Sequence, residues 1–341
     1  MDSYNGKYEL FDRRKLSTYP LTSRANKASV QDFLNPESCK KNKYKVQNTK
    51  GLQTVANRIV DSYNNNRPVF WMMGAHPIRN GLSPIITEWL KKHLITVLSL
   101  NTAASIHDFE FALIGETSED VPKGLSSGDF GFAYETGKYI NDALRWGAEN
   151  NLGYGESMAS LIAGKEIKHK GLDKGYSVHC PYAEKSIIYN AYKANIPVTV
   201  HATIGTDIID QHINFSAEAK GKTSGFDFDI FVHEVTKLNA GGIFLNVGTA
   251  VTGPEVLLKA VSMVANAKYK INHLNTADFD LRSVPATFPD NSKENYYYRD
   301  FKSIVTRIPP SFGGEGIYIQ GNHIQTIPAL YKAVKSLITG K

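Results

Sequence analysis

The chain has 341 residues, 42% of them apolar and 21% charged. Those proportions exclude a disordered tail, a collagen-like chain and a disulfide scaffold. The net charge of +6 is scattered, with denser clusters only near Lys40–Lys45 and Lys165–Lys174. A nucleic-acid surface is therefore not expected, and the charge suits an anionic cofactor better.

Residues 1–50 are polar, basic and weakly periodic, and they read as an arm that packs on something larger or on a partner subunit. Residues 51–341 read as one domain, because nothing in them marks a linker. Val55–Tyr63 reads as a helix, Pro68–Met73 as a buried strand and Leu82–His93 as a helix with Ser83 as N-cap and Pro84 in its first turn. Ile95–Leu100 is the next strand, and Phe132–Glu149 a long amphipathic helix. Glu184–Ala194 (helix), Pro197–His201 (strand), Phe226–Asn239 (helix), Ile243–Val247 (strand) and Pro254–Ala265 (helix) continue the alternation. Tyr269–Leu274 and Ile317–Gln320 are further strands, and Thr326–Leu337 the last helix. Strands alternating with helices of this length predict an α/β fold, doubly wound around a mostly parallel sheet. The stretch Pro285–Gly314 reads as long loops.

Cys39 and Cys180 form no CxxC pair, which fits a reducing, cytoplasmic setting. The first residues lack an apolar signal core, and no run approaches 18 apolar residues, so neither secretion nor a membrane span is expected. GxxxxGK[ST], HExxH and GxGxxG are all absent. Without Cys/His spacing no metal is expected.

Four segments stand just after expected strands, where open α/β sheets bind ligands. They are Gly74–Gly81, Asn101–Asp108, Gly205–Asp207 and Asn275–Asp280, and the triplet Asn-Thr-Ala occurs in two of them. His107, His201, His212 and His323 lie near the same ends. Asp207 and Asp210 either cap a helix start or bind a cation or an amine.

Several of these segments carry a resemblance. Lys185–Val198 with Gly205-Thr206-Asp207, Ala163–Ile167, Asn101-Thr102-Ala103, and Asn275-Thr276-Ala277 with Asp280 follow in the order found in the deoxyhypusine synthase family. From about residue 55 to the C-terminus the chain resembles that family. The resemblance implies a Rossmann-like fold without GxGxxG, NAD as cofactor, spermidine or a similar polyamine as substrate, and a homotetramer with sites at subunit interfaces. The activity implied is transfer of an aminobutyl group, through an imine, to an amine acceptor. The cofactor contacts implied are Asn101, Thr102, Ala103, Thr276, Ala277 and Asp280, with Asp207 and His76 towards the nicotinamide. The family's catalytic histidine is replaced by Thr252, and its Trp-Gly-Lys is missing. Lys302 is the nearest candidate for the covalent lysine, ahead of Lys293. The alternatives are an NAD-dependent amine or alcohol dehydrogenase and a catalytically lapsed homologue that still binds NAD or a polyamine. A polyamine site must also be acidic. Asp108, Glu110, Asp207, Asp210, Glu255, Asp278 and Asp280 are the carboxylates near expected strand ends.

Overall fold

The computed structural model describes residues 4–39, 41–284 and 298–340. Six strands, β1 (Val69–Met73), β2 (Val97–Asn101), β3 (Val198–His201), β4 (Gly242–Val247), β5 (Leu274–Asp280) and β6 (Gly316–Gln320), form one sheet. Their order across it is β3-β2-β1-β4-β5-β6, and every pairing is parallel. The fold is therefore α/β and doubly wound. Successive strands add outward to one side as far as β3, then the chain returns to the centre and adds β4 to β6 on the other.

The central strands are apolar along their length because both faces are covered. Trp71, Met73, Leu98 and Leu100 point into one core, and Phe70, Met72, Val97 and Phe244 into the other. The first core is closed by helices α1 (Thr49–Asn64), α2 (Ser83–Lys91), α3 (Thr102–Ile114), α4 (Tyr134–Glu149), α5 (Tyr154–Ile162) and α6 (Ile187–Lys193). Helices α7 (Ala217–Thr236) and α8 (Thr252–Asn266) cover the second core, and α9 (His323–Thr339) returns to the first.

The first fifty residues run along this same chain. Arg13 donates to the carbonyls of Asp210 (2.6 Å) and His212 (2.9 Å), and Leu21 and Cys39 are fully buried. Ala28 and Ser29 pair antiparallel with Thr117 and Glu116.

Several sequence expectations are corrected. The strand expected at Tyr269–Leu274 begins where that run ends, at Leu274. Tyr269 is 58% exposed, whereas Thr276, Ala277 and Asp278 are wholly buried. Their polar groups concealed the strand: Thr276 donates to the Ile304 carbonyl and Asp278 accepts from Asn246 at 2.8 Å. Helix α7 starts nine residues earlier than expected, capped by Ser216. The cap position before α2 is Leu82, not Ser83, with Pro84 in the first turn as expected. Of Pro285–Gly314, residues 285–297 lie outside the described residues, Lys293 among them, and Phe301–Ser311 is helical. Helices α3 and α5 were not anticipated.

Candidate functional site

The carboxyl ends of the strands form one edge of the sheet, and the strand order reverses between β1 and β4. Two glycines face each other there. A Cβ on Gly74 would lie 2.3 Å from the carbonyl oxygen of Gly248, so no side chain fits between the two backbones. Gly248 has φ +64, and its own Cβ would press on His323. His76 follows immediately, exposed on the edge. It is felt electrostatically by both His107 and His323.

Asn101 ends β2 and caps α3 by accepting from the Ala104 amide at 2.9 Å. Its oxygen is thus committed to the helix. Thr102 is 3% exposed and its hydroxyl has no hydrogen-bond partner. It sits beside the Asp207 carboxylate, outside hydrogen-bond geometry. Ala103 and Asp207 share the wall of a cavity of about 300 Å³ between the ends of β2 and β3. Arg24, Arg79, His107, Glu110 and Glu119 also line it.

Asp207 and Asp210 were expected either to cap a helix or to bind a cation or amine. They do both, and the amine is the chain's own. Lys220 on α7 is fully buried and donates to Asp207 (2.8 Å), Asp210 (2.6 Å) and the Thr203 carbonyl (2.9 Å). Three donors meet three acceptors, so the ammonium is satisfied. Burial pushes the Asp207 carboxyl up, opposed by Lys220. The signal for Lys220 was present as spacing. Lys220, Thr223, Asp227, Phe231 and Glu234 recur at three- and four-residue steps, the buried face of a helix that starts at Ser216.

A second buried network borders the cavity. Glu110 accepts from Arg24 (2.6 Å), Thr136 (2.7 Å) and Thr117. Burial alone would raise Glu110, but Arg24, His107 and Thr117 outweigh it and hold it below its usual range. Arg24, Thr117 and Thr136 lie far apart in sequence and carried no motif.

The remaining candidates lie elsewhere. Thr276 and Ala277 are inside β5, away from the edge where a strand-end reading puts them. Asp280 does end β5, half-buried, and is paired with Arg282 at 2.9 Å. Lys302 is half-buried at the start of the helical segment Phe301–Arg307. That segment packs on β5 and β6, on the opposite side of the switch point from the cavity.

The seven carboxylates expected to make an acidic site are all engaged internally. Asp108 accepts from the Ile187 and Ile188 amides, Glu110 binds Arg24, and Asp207 and Asp210 bind Lys220. Glu255 pairs with Lys259 and Arg299, Asp278 with Asn246, and Asp280 with Arg282. Among the described residues, no group of three or more His, Cys, Asp or Glu side chains is placed to hold a metal ion. No helix among them is long and apolar enough to cross a membrane.

No protein-family model matches the chain, and no curated protein matches it. Among solved structures it is similar to ArgZ, an arginine dihydrolase from the ornithine-ammonia cycle in cyanobacteria, with TM-score 0.49 and 13% identity over 86% of this chain. A ternary complex of AgrE with ornithine and NAD+ has TM-score 0.49 and 13% identity over 85% of this chain. The chain spans about a third of the length of those two proteins, 34% and 33%. A "putative deoxyhypusine synthase" from Entamoeba histolytica has TM-score 0.40 and 10% identity, covering 85% of this chain and 88% of that one. Likeness at this level assigns neither a family nor an activity. The fold and edge described above define the class: an open parallel α/β sheet in the strand order of dinucleotide-binding folds, without their glycine fingerprint.

Proposed function

We propose that the protein binds NAD across the carboxyl edge of the sheet and uses it to oxidise a small amine. The full course proposed is transfer of an aminoalkyl group, such as the aminobutyl group of spermidine, to an amine acceptor. The observation that carries the dinucleotide reading is the strand order, whose reversal lies between β1 and β4, where such sheets take nucleotides. His76, Thr102, Ala103 and Asp207 stand on or beside that edge.

The residues present fit the group in part. Gly74 keeps the β1 turn free of side chain. Thr102 offers a buried hydroxyl without a partner. The helical turn after β1 is only His76–Arg79, so the diphosphate is assigned to the start of α3, where the first amides have no partner within the helix. Asn101 is committed to capping, and Thr276 and Ala277 are enclosed, so the contacts proposed for β5 reduce to Asp280. When bound, NAD supplies a hydride acceptor.

Transfer further requires a lysine that attacks an imine carbon as the neutral amine. Lys302 is proposed for that step. Three strand spacings separate β2 from β5, roughly 14 Å. Within one chain this distance favours a second reading, amine or alcohol oxidation without transfer. A homotetramer would allow a second chain's Lys302 to reach the cavity.

The test is incubation with NAD and labelled spermidine, borohydride trapping and intact mass. An aminobutyl adduct mapping to Lys302 is the result expected for transfer. NADH released without adduct supports the dehydrogenase, and NAD binding without turnover the lapsed homologue. Failure to bind NAD overturns the reading as a whole.

A further inference from the structure

We infer that the cavity between the ends of β2 and β3 is a binding site for a small carboxylate, with Arg79 taking the carboxylate and His107 Nε2 accepting a hydrogen bond from a hydroxyl or amino group on the same molecule. This goes beyond the NAD reading and does not depend on it.

The orientation of His107 follows from its neighbours. Its Nδ1 lies 2.6 Å from the Thr117 hydroxyl oxygen. That hydroxyl donates its single hydrogen to Glu110, which is wholly buried and held ionised by Arg24. An ionised carboxylate only accepts, so the Thr117 hydrogen is committed. Its oxygen must then accept from His107, which places the ring hydrogen on Nδ1. Nε2 is left with a lone pair. It makes no hydrogen bond among the described residues, and the ring forms part of the cavity wall. Glu110 is itself fixed by Thr136, so the relay cannot rotate to the other tautomer without breaking a buried bond.

The charge of the cavity follows from pairing. Arg24 is shared by Glu110 and Glu119, Lys27 pairs with Asp120 at 2.9 Å, and Lys220 is shared by Asp207 and Asp210. Arg79 also lines the cavity, and among the described residues it has no ion pair. It stands close enough to His107 to disfavour a charge there. A guanidinium without an ion pair beside one neutral imidazole acceptor matches a molecule that carries a carboxylate and, within a few bonds, an O–H or N–H. The volume of about 300 Å³ admits a molecule of a few heavy atoms up to amino-acid size.

The test uses the full chain without NAD, with the histidine ring nitrogens observed by NMR. The free protein should show His107 as the Nδ1–H tautomer, and Thr117→Val should mix the tautomers while leaving the other histidines unchanged. Glycolate and glycine are the probes. Each should shift the His107 Nε2 resonance in a saturable way, and Arg79→Gln should weaken that binding about tenfold or more. Arg79 is exposed, so that variant should keep the wild-type melting temperature. Ethylamine and putrescine should leave His107 unmoved. Three results overturn the inference: an Nε2–H tautomer in the free protein, glycolate and glycine that fail to shift His107, or putrescine binding at His107 in their place. NAD binding, measured separately by calorimetry, reports on the other reading whatever these probes show.

Discussion

Lys220 and His107 both show how a buried polar side chain is governed by its partners. Removing one member of a buried ion cluster leaves the rest uncompensated, which costs about 3–5 kcal/mol. Lys220→Met should therefore lower urea stability by about that much at pH 7, because Asp207 and Asp210 would face each other without a cation. In the variant burial without Lys220 drives the Asp207 carboxyl further up, so protonation favours the fold. Its deficit against wild type should shrink as pH falls through the carboxylate range, which urea titrations between pH 7 and 4 would show. His107 behaves in the opposite sense. Burial, helped by Arg79, Arg24 and His76 and opposed by Glu110, lowers it from 6.5 to about 4. The folded chain thus holds a neutral ring where the unfolded chain takes up a proton. The stability this gives is complete above pH 6.5 and is lost as pH falls from 6.5 towards 4. A histidine titration by NMR should place His107 near 4, and a midpoint near 6.5 would contradict the buried relay.

Elements meet where glycine permits. A Cβ on Gly155 at the start of α5 would sit 2.0 Å from the Val198 carbonyl oxygen of β3. Gly155→Ala should therefore cost about 2 kcal/mol or more by forcing helix from strand. Gly128 has φ +81 with nothing within 4 Å of its Cβ, so Gly128→Ala should cost only the backbone conformation, about 1–2 kcal/mol. Denaturant midpoints of the pair would separate close approach from left-handed backbone. Elements also show what was legible. Val69–Met73 and residues 97–100 announce themselves as strands because both faces are buried and every position is apolar or small. Leu274–Asp280 does not, because its buried Thr276 and Asp278 find partners only in Phe301–Arg307 and β4, which no local pattern reveals. The same holds at the site. Asp207, Ala103, His76 and Thr102 stand by the strand ends where the sequence places their segments. Lys220, Arg24 and Thr117 act through partners distant in the chain.

For the molecule as a whole, the strand order puts the proposed ligand edge at the carboxyl ends of the strands. NAD at 100 times its Kd should raise stability by about 2.7 kcal/mol, read as an upward shift in Tm, if it binds only the folded chain. Replacing Gly74 with alanine should itself lower Tm, since the added methyl meets the Gly248 backbone.

The N-terminal segment has a consequence for the order of assembly. Arg13 is anchored to carbonyls at 210 and 212, and Arg24 to Glu110, so both are secured by residues made much later. Closing such long loops is entropically costly and tends to come late in folding. On the ribosome, Arg13 cannot dock until residues 210 and 212 have been synthesised, nor Arg24 until Glu110 has. Arg24 and Lys27 close one wall of the cavity on Glu110 and Asp120, so ligand affinity should mature only once those long-range pairs have formed.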